Sequence, residues 1–123
     1  MSLISLKAAE LGIQTDAIYS WGKGQIDYIL GSTGRSFLVG FGTNPPVYAH
    51  HRGASCPDMP EICDWNDYDS PDPNPQDLTG ALVGGPDDQD IYNDARNDWV
   101  TNEVATDYNA AFQGALAALI MRG

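Results

Sequence analysis

The chain has 123 residues and a formal net charge of −11. That length allows at most one domain. So acidic a chain has no basic surface to displace phosphate counterions, which argues against nucleic acid and against anionic membrane surfaces as partners. No apolar run is long enough to span a bilayer. The first ten residues lack a basic n-region and a clear cleavage site, so they do not read as a signal peptide.

The spacing of Leu3, Ile4, Leu6, Ala8 and Leu11 predicts a first helix over residues 3–11, with Gly12 as its stop. Thr15 or Asp16 can cap a second helix reaching Leu30. Its apolar positions Ile18, Gly22, Ile26 and Ile29 recur every three to four residues, and Gly31 ends it. The short link between them predicts an antiparallel helical hairpin. A third helix is predicted from 102 or 103 to 121, with Val104, Tyr108, Phe112, Ala115 and Leu119 on one stripe.

Between the second and third helices little periodicity is visible. All eight prolines fall there, from Pro45 to Pro86. Phe37-Leu38-Val39 reads as a short strand and the rest as turns. Phe41, Tyr48, Trp65, Leu78, Leu82 and Val83 punctuate the stretch, so it reads as a long ordered loop of the kind that carries function. Three single-striped helices cannot bury a core and also support such a loop. The expectation is therefore the C-terminal part of a larger all-α domain, spanning residues 1–123. The competing reading is a small loop-rich domain fastened at Cys56 and Cys63, which suit either a local disulfide or two free thiols. With no third and fourth ligand nearby they make a weak zinc site.

Three constellations stand out. Acidic residues crowd between Asp58 and Asp107. The run from Asp64 to Asp69 resembles a calcium loop but lacks the central glycine and the terminal glutamate, so it reads first as solvated surface. His50, His51 and Arg52 follow a glycine- and proline-fixed segment and suit hydrogen bonding to hydroxyls. The two adjacent rings point apart and are unlikely partners on one metal. Glu103 is one of three glutamates among seventeen acidic residues. It is expected at the start of the third helix, between Trp99 and Tyr108 and downstream of Asp94. Burial by Tyr92, Trp99 and Tyr108 and a nearby carboxylate favour the protonated form that a general acid needs, while the helix dipole opposes it. Asp94 and Asp98 have a plainer reading, as turn caps or partners of Arg96.

The pattern Tyr92-x-Asp94-x-x-x-x-Trp99-x-x-x-Glu103-x-Ala105-x-x-x-Asn109-Ala110 resembles a signature of glycoside hydrolase family 9. So does Ser36-x-Leu38-Val39-x-x-Gly42-x-Asn44 followed by His50-x-Arg52. The segments from Gln25 to Gly31 and from Gly80 to Asp87 are also similar to that family. The resemblance implies a C-terminal piece of an (α/α)6 barrel acting as an inverting endo-β-1,4-glucanase on a β-1,4-glucan. It implies that Glu103 is the proton donor and that Asp94 holds groups in place. It sets His50, as a catalytic group, and Arg52 on the glucan and Tyr108 near the scissile bond, with Tyr92 also binding substrate. No cofactor or metal is implied, and secretion is the family expectation. Ala49 departs from the family's larger residue before the histidine. The family's Asp-x-x-Asp base segment has no counterpart before the first helix. That gap implies a base supplied by the remainder of the domain, and an isolated chain without turnover. It also motivates the second reading, a non-catalytic carbohydrate-binding remnant.

Overall fold

The computed structural model describes residues 1–13 and 15–122. Three longer helices carry the framework: α1 (Ser2–Glu10), α2 (Thr15–Ile29) and α6 (Thr106–Arg122). Three single-turn helices lie between α2 and α6: α3 (Arg52–Ser55), α4 (Trp65–Tyr68) and α5 (Trp99–Asn102).

Both glycine stops hold. After α1 the Gly12 amide donates to the Ala9 carbonyl and the Ile13 amide to Ala8, at 3.1 and 3.0 Å. After α2 the Gly31 amide donates to Tyr28 and the Ser32 amide to Asp27, at 3.1 and 3.0 Å. Gly12 and Gly31 have φ of 84° and 107°, so each helix ends in a Schellman motif with glycine in the left-handed position. Gln14, in the link of the hairpin, lies outside the described residues.

Close packing fixes how the helices meet. A Cβ added at Gly22 would lie 2.5 Å from Ser5 Oγ and 3.1 Å from Leu6 Cγ, so α2 approaches α1 closely at this glycine. Leu6, Ile26, Phe112 and Ala115 form one core among α1, α2 and α6, together with Leu38. A second cluster, Phe37, Ala49 and Val83, lies under the loops with Tyr28, Tyr92 and Val104 against it. Leu82 touches both. The expected face of α1 is split. Of that face Leu6 is buried, together with Ala9 from outside it, while Ile4 and Leu11 remain 66% and 69% exposed.

The expected strand at Phe37-Leu38-Val39 reduces to one isolated bridge, Leu38 to Leu82, and the described residues contain no strand. Gly40 and Gly42, at φ 72° and 78°, turn the chain before pairing can extend. A larger correction concerns the third helix, which starts at Thr106 rather than at 102 or 103. Val104 instead pairs with Val83, and Glu103 has extended backbone at φ −66°, ψ 142°. Backbone pairing with distant loops overrides the local helical pattern there. Asp107, not Glu103, occupies the first turn, where the helix dipole favours a negative charge.

Candidate active site

Two segments far apart in sequence are joined by their backbones. His50 and Glu103 form an isolated parallel bridge. The His50 amide donates to the Asn102 carbonyl at 2.8 Å, and the Gly84 amide donates to the Glu103 carbonyl at 2.9 Å. Glu103 is thereby fixed between two loops and is exposed. Neither the ring burial nor the helix-start position expected of it is built by the described residues.

Asp94 organises the same junction. Its Oδ2 accepts the Val47 amide at 2.9 Å, and its Oδ1 accepts the Tyr48 amide at 3.1 Å and Asn102 Nδ2 at 3.2 Å. Among the described residues it makes no direct hydrogen bond to Glu103. It acts on the acid's segment through Asn102, its neighbour in the network. Asn102 is fully buried. Its Nδ2 also lies 2.8 Å from the Tyr48 carbonyl and 3.2 Å from that of Ala95, while its Oδ1 accepts the Tyr92 hydroxyl.

The two histidines part company. His51 Nδ1 accepts the Ala54 amide at 3.1 Å, so this ring caps α3. His50 Nδ1 lies 2.7 Å from the Arg96 carbonyl. A carbonyl only accepts, so Nδ1 carries a proton and Nε2 is left for another partner. Arg52, exposed at the start of α3, lines a cleft of about 560 Å³ with His50, Trp65 and Tyr68.

The sequence model of Glycosyl hydrolase family 9 matches residues 1–116. The chain belongs to glycosyl hydrolase family 9. It is 59% identical to an endoglucanase from the termite Nasutitermes takasagoensis, with a TM-score of 0.92 over 97% of this chain and 28% of that one. It is 43% identical to endoglucanase CelQ of Clostridium thermocellum, solved in complex with cellobiose and cellotriose, with a TM-score of 0.80 over 96% of this chain and 20% of that one. Endoglucanase 8 of Oryza sativa subsp. japonica is 44% identical over 120 residues, which cover 90% of this chain and 24% of the relative. The chain thus spans 24% of the length of the rice relative and 26% of Endoglucanase 18 of Arabidopsis thaliana. Its helices form part of the family's (α/α)6 barrel.

In this family 9 chain Tyr108 is half-buried in the first turn of α6. Tyr92 packs edge-on against Phe37, with ring centroids 5.2 Å apart, and the Arg35 guanidinium lies 5.3 Å from its ring centroid. Burial first, and then the charge of Asp94, hold its phenol well above the ordinary value, partly opposed by Arg35. Its hydroxyl therefore stays protonated and is committed to Asn102.

Arg96 does not pair with Asp94 or Asp98. Asp98 caps α5, accepting the Thr101 amide at 3.2 Å. Arg96 is buried and donates to Asn74 Oδ1 at 2.8 Å and to the carbonyls of Asp67, Ser70 and Asp72 at 2.9, 3.0 and 2.8 Å. Sequence reasoning missed this role and that of Asn102. The carbonyls that Arg96 satisfies lie more than twenty residues earlier, in the proline-rich segment whose prolines lack amide donors. Asp64 and Asp67 of the calcium-like run serve as the two halves of the α4 capping box. Cys56 and Cys63 are joined as a disulfide.

Proposed function

We propose that the protein hydrolyses internal β-1,4-glucosidic bonds of cellulose or a related glucan, with inversion at the anomeric carbon. The observation that carries this reading is the backbone bridge setting Glu103 beside His50 in a family 9 chain. Glu103 gives its proton to the departing glycosidic oxygen. A water on the opposite face of the sugar is activated by a second carboxylate, roughly 6.5–9.5 Å from the acid in inverting enzymes. Among the residues here Asp94 is a poor candidate for that base, because its oxygens are taken up by two backbone amides and an Asn102 amide. The family resemblance puts the base in the remainder of the barrel, and on this reading the 123 residues alone do not turn over substrate.

His50 Nε2 and Arg52 bind glucan hydroxyls, and Tyr108 lies near the scissile bond. Tyr92 supports the site through Asn102. The exposed faces at Ile4, Leu11, Ile120 and Met121 support packing against further helices of the same domain. The Cys56–Cys63 disulfide supports a secreted protein.

The test is Glu103→Gln in the complete catalytic domain, assayed on cellulose and mixed-linkage glucan. Loss of nearly all turnover with retained oligosaccharide binding is expected. Undiminished hydrolysis would sink the assignment. Turnover absent in the unmodified domain, with binding intact, would favour the carbohydrate-binding reading.

A further inference from the structure

We propose that Trp65 is a sugar-stacking platform, its exposed indole face receiving one glucose ring of the glucan in the cleft beyond His50 and Arg52. This rests on the glucan reading above and adds a specificity-determining residue to it.

Trp65 is 77% exposed, yet the chain around it is held from several sides. The Asp64–Asp67 capping box fixes the start of α4. Cys63, two positions earlier, is tied to Cys56. Arg96 fixes the far end of the same turn from below through the Asp67 carbonyl at 2.9 Å. Tyr68 meets Trp65 edge-on, with centroids 5.6 Å apart, and His50 meets Tyr68 edge-on at 6.2 Å. An unbroken run of fixed rings thus leads from the Glu103 junction to the indole. Nothing among the described residues covers the ring, so within them it gains nothing for folding from burial. The restraint around it instead spares the ordering cost that binding would otherwise carry.

The chemistry of the cleft suits a pyranose. In β-glucose every hydroxyl is equatorial, so the axial C–H bonds give two apolar faces and a polar rim. An indole matches the face. A sugar on the indole would bring its rim within the cleft that Arg52 and His50 also line. The cleft volume of about 560 Å³ lies within the range of small-molecule sites.

The experiment compares the unmodified catalytic domain with Trp65→Ala and Trp65→Phe on cello-oligosaccharides of increasing length. For the longest oligomer, Trp65→Ala is expected to raise KM about tenfold with kcat within about twofold, as for an aromatic anchor lost from a binding surface. The shortest cleaved oligomer should be unaffected, and Trp65→Phe should recover most of the loss. An unchanged KM at every length would overturn the proposal. So would a lowered melting temperature with equal loss on every substrate, because Trp65 would then be packing against the rest of the domain. If the unmodified domain cleaves no β-1,4-glucan, the hydrolytic reading fails separately. The platform is then read from tryptophan fluorescence during titration with cellohexaose, where a response missing in Trp65→Ala supports it and an identical response overturns it.

Discussion

The Tyr48 amide donates to Asp94 across 3.1 Å, linking the segment that leads to His50 with the segment that leads to Glu103. A carboxylate suits the position because Val47 and Tyr48 present two amide donors side by side. Asp94→Asn would turn an NH₂ group toward one of them. Donor would then face donor, at a cost of about 1–3 kcal/mol for the group left unpaired. A shift of the loop by an ångström also misplaces His50 relative to the acid, and such errors can lower turnover about a hundredfold. Thermal unfolding and steady-state kinetics of Asp94→Asn in the complete domain measure both. Unchanged values in each would remove Asp94 from the positioning role.

Asn102 is the other half of that junction. Asn102→Ala leaves the Tyr92 hydroxyl and the Tyr48 carbonyl without their partner. The expected loss is about 1–3 kcal/mol of stability, because two part-buried groups lose their partner. Asn102→Asp keeps the shape but sets a carboxylate against Asp94 Oδ1, now 3.2 Å from Nδ2. Its melting temperature should fall as pH rises through the carboxylate range, because the new carboxylate, buried at position 102, then ionises against Asp94. A pH-independent difference from the parent would argue against this contact.

Much of this was legible in the chain. Gly12 and Gly31 announced the ends of α1 and α2 because left-handed backbone after a helix needs a residue without Cβ. The signatures around His50 and Glu103 mark the family without any geometry. The start of α6 was not legible. Whether Val104 is helical depends on pairing with Val83, a contact across twenty residues that local periodicity does not encode. The role of Arg96 was hidden for the same reason, since its acceptors are backbone carbonyls between Asp67 and Asp72, which no side-chain pattern marks.

The disulfide offers a separate handle on the cleft wall. Cys56 and Cys63 close a short loop between α3 and α4. Replacing both by serine should cost about 2–3 kcal/mol by the loop-closure estimate. The loosened segment carries Trp65, so activity on long glucans should fall more than activity on short ones. The parent domain treated with reductant should behave like the double variant. Equal activity ratios across substrate lengths would detach the disulfide from the cleft.

The Tyr28 hydroxyl donates to Asp90, and burial, then this hydrogen bond and the Asp90 charge, push the phenol up to about 12 from 10.0. The folded state therefore holds the proton where an unfolded chain would release it. The associated stability is fully present below the unfolded value near 10 and is lost as pH rises through the folded value. The melting temperature should decline between those two limits. Tyr28→Phe cannot titrate and has no hydroxyl for Asp90, so it should begin less stable at neutral pH and decline less steeply over the same window. Tyr92 titrates in the same direction and remains in both proteins, which makes the difference between their slopes the quantity that reports Tyr28. Parallel alkaline curves for the parent and Tyr28→Phe would show that the tie to Asp90 contributes nothing to folding.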